Sequence, residues 1–261
     1  MKHLVYCVLR NVQPVPCVLP AGVEAAPVSF LVDDRLAAAY SVEPDDCVTP
    51  TVSRATAYAR AVDALHRAAT VAPFRYGHFF AGPEQVVDLL RVHREEFLRS
   101  LEEVQGCDEM GLRILLENRP GLACAQPAYA APGLPAIALA ATGMPAIALA
   151  AAGGTGREFL EGRRAHYAAE ECDEALAAQA TTEARGALEG LAVTCREERS
   201  GAAEGRLLSL FFLVRRENVE RFREAFRQLQ QETSAKMLLT GPWPPYNFVG
   251  SPCPDGRAER D

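Results

Sequence analysis

Leu207-Leu-Ser-Leu-Phe-Phe-Leu-Val214, then Glu217-Asn-Val-Glu-Arg-Phe-Arg-Glu-Ala-Phe-Arg-Gln-Leu-Gln-Gln231, then Lys236-Met-Leu-Leu239, is the stretch whose reading decides the fold. An unbroken apolar run of this length predicts a central strand with both faces covered. Val219, Phe222, Phe226 and Leu229 then recur at helical spacing and predict a helix with one buried face. Lys236–Leu239 predicts a last strand. Working back, Leu191–Cys195 alternates as a strand. Thr155-x-x-Glu158 forms a capping box, which predicts a long helix running to about Gly186. Met110, Leu112, Ile114 and Leu116 alternate, as in a half-buried strand. The order is βαββαβ, the ferredoxin-like arrangement.

The first half reads less cleanly. Leu4–Leu9 predicts a strand, and residues 11–27, with prolines at 14, 16, 20 and 27, a loop. Val28–Val32 and Leu36–Val42 flank Asp33-Asp34-Arg35 and predict a hairpin. Thr49-Pro50 supplies an N-cap and a first-turn proline. The helix that follows to about Ala69 carries Val52, Ala55, Ala59, Val62 and Leu65 on one stripe. Phe74–Phe80 reads as extended. Gly82-Pro83-Glu84 opens a second helix with Val86, Leu90, His93, Phe97, Leu101 and Val104 on its apolar face. The expected fold is α+β in two domains, each an antiparallel sheet with helices packed on it. The expected limits are 1–106 and 107–250, with a polar tail at 251–261.

Leu239-Thr-Gly-Pro-Trp-Pro-Pro-Tyr-Asn-Phe-Val249 carries the chain's single Trp. Pro242, Pro244 and Pro245 exclude helix and central strand. Trp243, Tyr246 and Phe248 can each bury roughly 150–250 Å². They are expected to form an aromatic latch on the second sheet; the alternative is an exposed anchor for a partner.

This segment resembles the C-terminal signature of the gas vesicle accessory proteins of the F/L type. Ala72-Pro-Phe-Arg-Tyr-Gly-His-Phe-Phe80 and Thr155-Gly-Arg-Glu-Phe-Leu-Glu-Gly-Arg-Arg164 are similar to two further segments of that family, in the same order. The chain departs from the family at Met110-Gly111, after Glu109, where an aromatic is usual. The resemblance runs from the first strand to about Val249. It implies a ferredoxin-like theme in both halves. It also implies a minor, non-enzymatic protein that binds the main gas vesicle shell protein and other accessory proteins. Such a protein assists nucleation or assembly, keeps shell subunits from aggregating, and sits in the cytoplasm or on the vesicle.

The residues themselves give a weaker version of the same answer. A net charge of −7 argues against a nucleic-acid partner. The eight cysteines are too far apart in sequence for a metal knuckle. Gly153-Gly-Thr-Gly156 lacks the Lys-Ser/Thr of a phosphate loop, and no nucleophile elbow or helical zinc motif occurs. No catalytic residue, cofactor or metal is expected. His93 falls on an apolar stripe and reads as a core histidine. Arg75, between Phe74 and Tyr76, points either inward, with Glu109 as its candidate partner, or outward to solvent. The rival reading is a small-molecule-binding regulatory or enzymatic protein with tandem ferredoxin-like domains.

One segment stands apart from the fold. From Pro120 to Gly156 there is no charged residue, and Gly133–Thr142 is repeated almost identically as Gly143–Ala152. Prolines and glycines cut it into pieces far shorter than the roughly 18 apolar residues of a membrane span. Residues 119–154 are therefore expected to be a flexible insertion, with no lipid membrane as partner. Deleting Gly143–Ala152 should change stability by less than about 1 kcal/mol, because closure cost varies slowly with loop length. Denaturant melts check this; a loss of several kcal/mol would show the segment to be packed.

Overall fold

The computed structural model describes residues 1–11, 21–115, 175, 178–199, 207–233 and 235–250. The capping box at Thr155–Glu158, the duplicated insertion and the tail 251–261 lie outside the described residues.

Two antiparallel sheets share one strand order. The first contains β1 (Lys2–Arg10), β2 (Ser29–Asp33), β3 (Leu36–Glu43) and β4 (Val71–Pro73) in the order β2-β3-β1-β4, with β5 (Phe79–Phe80) also paired to β1. The second contains β6 (Cys107–Leu115), β7 (Thr194–Arg199), β8 (Leu207–Arg215) and β9 (Lys236–Trp243) in the order β7-β8-β6-β9. Helix α1 (Val52–Ala68) joins β3 to β4, just as α5 (Val219–Glu232) joins β8 to β9. Helix α4 (residues 178–188) lies between β6 and β7, completing βαββαβ. The first half has the same topology, but the described part of its β1–β2 link holds only a short 3-10 turn, Val23–Ala25.

The apolar run at Leu207–Val214 is the central strand its composition requires, paired to β6 on one side and β7 on the other. Leu208, Leu210, Phe212 and Val214 face the core under α4 and α5. There they meet Met110, Leu112 and Ile114 of β6 and Val219, Phe222, Phe226 and Leu229 of α5. Leu213 and Phe211 point the other way, into a core shared with the first half.

The first sheet is covered on both faces. Tyr6, Leu4 and Ala39 pack toward α1. Val5, Val8 and Ala38 pack toward α2 (Pro83–Val92) and α3 (Arg94–Glu103). A register shift between Val5 and Cys7 lets Tyr6 and Cys7 both face α1. The hairpin turn is Asp34-Arg35, closed by the Asp33–Leu36 pair, and Asp34 has φ 53°.

Several boundaries differ from expectation. Helix α1 is capped by Thr51, whose hydroxyl accepts from the Arg54 N–H, not by Thr49. Its buried face is Tyr58, Ala61, Val62, Leu65 and His66, while Val52, Ala55 and Ala59 are exposed. The Tyr58 hydroxyl turns the helix: it donates to the Phe74 carbonyl at 2.9 Å, and a buried hydroxyl requires such a partner. Phe74–Phe80 is not one extended run: β4 ends at Pro73, a turn at Tyr76-Gly77 follows, and only Phe79–Phe80 forms a strand. The second helix is two, broken at His93, whose imidazole contacts Glu96 at 3.0 Å. His93 is part-exposed at this break and is not a core residue. Val86, Leu90, Phe97, Leu101 and Val104 nevertheless stay buried. Strand β7 starts at Thr194, and Leu191 ends a 3-10 turn instead.

Strand β9 continues through Thr240-Gly-Pro-Trp243, four residues beyond its expected end. It lies at the sheet edge, where Pro242 needs no ladder donor. Glu109 pairs with Trp243 and Gly111 with Thr240, so Gly241 and Pro242 together oppose Met110 in a bulge. Gly241 has φ 113°, and a Cβ there would lie 2.7 Å from the Glu109 carbonyl oxygen. Gly241→Ala should therefore cost at least about 1–3 kcal/mol. Gly186→Ala in α4, where an added Cβ meets nothing within 4 Å, should gain about 0.5–1 kcal/mol. Paired urea melts of the two variants test this difference in sign.

Candidate functional site

The two halves meet along two neighbouring residues at the start of β6, Asp108 and Glu109. Successive strand residues point to opposite faces, so one chain segment supplies two separate polar contacts.

Glu109 is 4% exposed. Its two carboxylate oxygens accept from one residue: the Asn247 backbone N–H at 2.8 Å and the Asn247 side-chain amide at 2.7 Å. Arg75 donates to Asn247 Oδ1 at 2.7 Å, and Arg196 of β7 donates to the Asn247 carbonyl at 2.6 Å. Each polar group of Asn247 thus has a partner, drawn from three parts of the chain. The Arg196 guanidinium also lies over the Phe248 ring, 5.4 Å from its centroid. Burial pushes the Glu109 carboxyl above its usual range, although the Asn247 hydrogen bonds and the charges of Arg75 and Arg196 oppose the shift.

Asp108 has the opposite balance. Burial also acts to raise it, but hydrogen bonds from His66 and Arg216 prevail and hold it below the usual aspartate range. His66 Nε2 lies 2.7 Å from Asp108 Oδ1, and Arg216 Nε donates to the same oxygen at 3.1 Å. Arg216 also donates to the His66 carbonyl at 2.7 Å, which ties α1 to the end of β8.

The residues singled out in the sequence separate here. Phe248 is buried with Phe74, Phe97, Leu213 and Val249, in the core beneath α2 and α3. Tyr246 packs on the α1 side, beside Tyr6, Cys7 and Tyr58, and burial raises its hydroxyl pKa. Tyr246 closes on the first half, and Phe248 fills the seam between the first half and the outer face of the second sheet. Trp243 does not join them. It remains 49% exposed, because pairing with Glu109 sets it on the outer face of an edge strand. Of the three aromatics expected to form a latch, Phe248 is buried, Tyr246 is partly buried and Trp243 is exposed. Arg75 is an exposed residue that still reaches the junction, and Asn247 stands between it and Glu109. Asn247, Arg196 and the His66–Asp108–Arg216 group were not singled out by the sequence. A lone Asn within an aromatic, proline-rich motif was the available signal for Asn247. Among the described residues, no group of His, Cys, Asp and Glu side chains could hold a metal ion. No helix among them is long and apolar enough to cross a membrane.

The two carboxylates should respond to pH in opposite directions. Asp108, with its pKa lowered by folding, contributes stability above the ordinary aspartate range and loses it as pH falls below that range. Asp108→Asn should be less stable than the parent at pH 7 by about 1.5–3 kcal/mol, with the gap closing on acidification. Glu109, with its pKa raised, imposes a penalty that grows as pH rises through its folded pKa. The stability of Glu109→Gln relative to the parent should therefore improve with rising pH. Urea melts between pH 3 and 7 read both slopes, and parallel slopes would contradict the assignment.

The comparisons with known proteins agree with this architecture. Two solved structures share the fold. The gas vesicle protein GvpF from an Anabaena species matches with a TM-score of 0.68 at 16% identity, covering 96% of each chain. GvpF from Microcystis aeruginosa matches with a TM-score of 0.68 at 14% identity, covering 96% of this chain and 99% of that one. No curated protein matches the chain. The sequence pattern of the family described as gas vesicle synthesis protein GvpL/GvpF matches residues 2–250. A match across nearly the whole chain, on a fold the two GvpF structures share, makes this protein a member of the GvpL/GvpF family of gas vesicle proteins, with an accessory role in the gas vesicle.

Proposed function

We propose that this chain is a non-enzymatic binding protein that engages the main gas vesicle shell protein and other accessory proteins. It acts in the cytoplasm and on the growing vesicle, where it assists nucleation or assembly and keeps shell subunits from aggregating. We further propose that its units divide at Gly106, as 1–106 and 107–250, with Tyr246–Val249 reaching back to seal the first. In this reading Arg75, Glu109, Tyr246 and Phe248 seal the junction and Trp243 meets the partner.

The observation that supports this reading is the posture of Trp243. The residues after it are fixed by Asn247 and by the burial of Phe248, while Trp243 stands half-exposed on a paired strand. A large aromatic held rigidly in solvent is the form taken by interface anchors, which cluster in Trp, Tyr and Arg.

Pull-down with purified shell protein and the other accessory proteins, at micromolar concentration, tests the reading. The parent chain should capture the shell protein. Trp243→Ala should change stability by less than about 1 kcal/mol, as surface substitutions do, and should weaken capture. Failure of the parent to bind any of them would refute the proposal.

A further inference from the structure

The second sheet has one face under α4 and α5 and another that is only half covered. On that outer face the β6–β9 pairs form rows: Glu109 with Trp243, Gly111 with Thr240, Arg113 with Leu238, Leu115 with Lys236. The first half covers one end of this face, where Cys107 and Glu109 of β6 and Leu213 of β8 are buried. Along the free edge on β9 and toward the far end of β6 the face is open. Leu115 is 40% exposed, Leu238 59% and Trp243 49%. Arg113 stands exposed among them, and no hydrogen bond or ion pair engages its side chain among the described residues.

We propose that this open strip, Leu115, Leu238 and Trp243 around Arg113, docks an amphipathic helix of a partner protein that carries one carboxylate within its apolar stripe. The proposal rests on the reading above that the chain is a binding protein, and adds the surface and the partner's chemistry.

Two arguments select this occupant. The first concerns charge. A partner that covers the leucines and Trp243 also takes Arg113 out of water. A buried guanidinium is costly unless a carboxylate meets it, and that pair is then strong and directional. An apolar partner without an acid would leave an unpaired cation in the interface.

The second concerns backbone. Strand β9 is an edge, and edges invite strand addition. Here Gln230 donates to the Met237 carbonyl at 3.2 Å, and Arg223 donates to the Gly241 carbonyl at 3.2 Å. An added strand would have to displace both. The side-chain face remains accessible, and a helix covers such a face without using its hydrogen bonds. Helix α5 does this on the opposite side of the same sheet through Phe222 and Phe226. From Lys236 to Trp243 the strip extends about 20–25 Å at about 3.3 Å per residue. That accommodates about four helical turns.

Trp243 is the only Trp and reports the test directly. The probe is a synthetic Ala/Leu helical peptide of about four turns with one central Glu in its apolar stripe, beside the same peptide with Lys. Added to the full chain, the Glu peptide should shift Trp243 emission to the blue and protect it from quencher. The Lys peptide should bind at least about tenfold more weakly. Arg113→Glu should reverse that preference, and Leu238→Glu should abolish both responses. Urea melts confirm that each variant is folded, and Leu238→Ser substitutes if Leu238→Glu is not. No response to either peptide, or an equal response to both, would overturn the proposal. A blue shift produced by raising protein concentration alone would also overturn it, with a second copy as the occupant. Capture of shell protein that is indifferent to Arg113→Glu and Leu238→Glu would overturn this surface while leaving the functional reading intact.

Discussion

The interaction on which the architecture depends is the grip of Glu109 on Asn247. A carboxylate this buried is costly in isolation, and both of its oxygens are satisfied by a single residue near the end of the described chain. That requirement sets the path of the chain after β9. With Asn247 held, Phe248 enters the core under α2 and α3 while Tyr246 enters the other core beside α1. Residues on either side of Asn247 thereby reach opposite sides of the first sheet. Arg75 and Arg196 close the remaining polar groups of Asn247 from the two halves. The second contact, through Asp108, His66 and Arg216, lies one residue away on the opposite face of β6 and limits rotation about the first.

Much of the fold was legible where a single physical demand acts on a segment. The Leu207–Val214 run could only be a strand covered on both faces, and the α5 stripe could only bury Val219, Phe222, Phe226 and Leu229. The hairpin at Asp34-Arg35 followed from turn chemistry. Legibility failed where two demands compete. Periodicity in α1 favoured Val52 and Ala59, but the Tyr58 hydroxyl needed the Phe74 carbonyl, and the helix buries that side. The prolines after Leu239 suggested a strand end, but an edge position and a bulge accommodate Pro242.

The candidate site was half legible, for a related reason. Sequence supplies residue types, and aromatic content draws attention to Phe248, which is buried, and Tyr246, which is partly buried. It does not supply the pairing register that sets Trp243 outward opposite Glu109. Nor does it announce Asn247, whose role arises only when residues 75, 109 and 196 converge on it. Such convergence is a property of tertiary structure, invisible to any window along the chain.

The return of Phe248 and Val249 into the core beneath α2 and α3 has a consequence for the order in which the protein is made. The helices and strands that line this core, from Val5 to Val104, leave the ribosome before the second half, yet two of its apolar side chains are among the last described residues. At ordinary elongation rates the intervening chain takes on the order of ten seconds to synthesise. For that interval the nascent first half presents an unfilled apolar groove, which Leu213 and Phe248 reach only once the second half has been made. The chain therefore tethers completion of this core to synthesis of its second half, so a fragment that stops before Leu213 lacks both a second sheet and a closed first half.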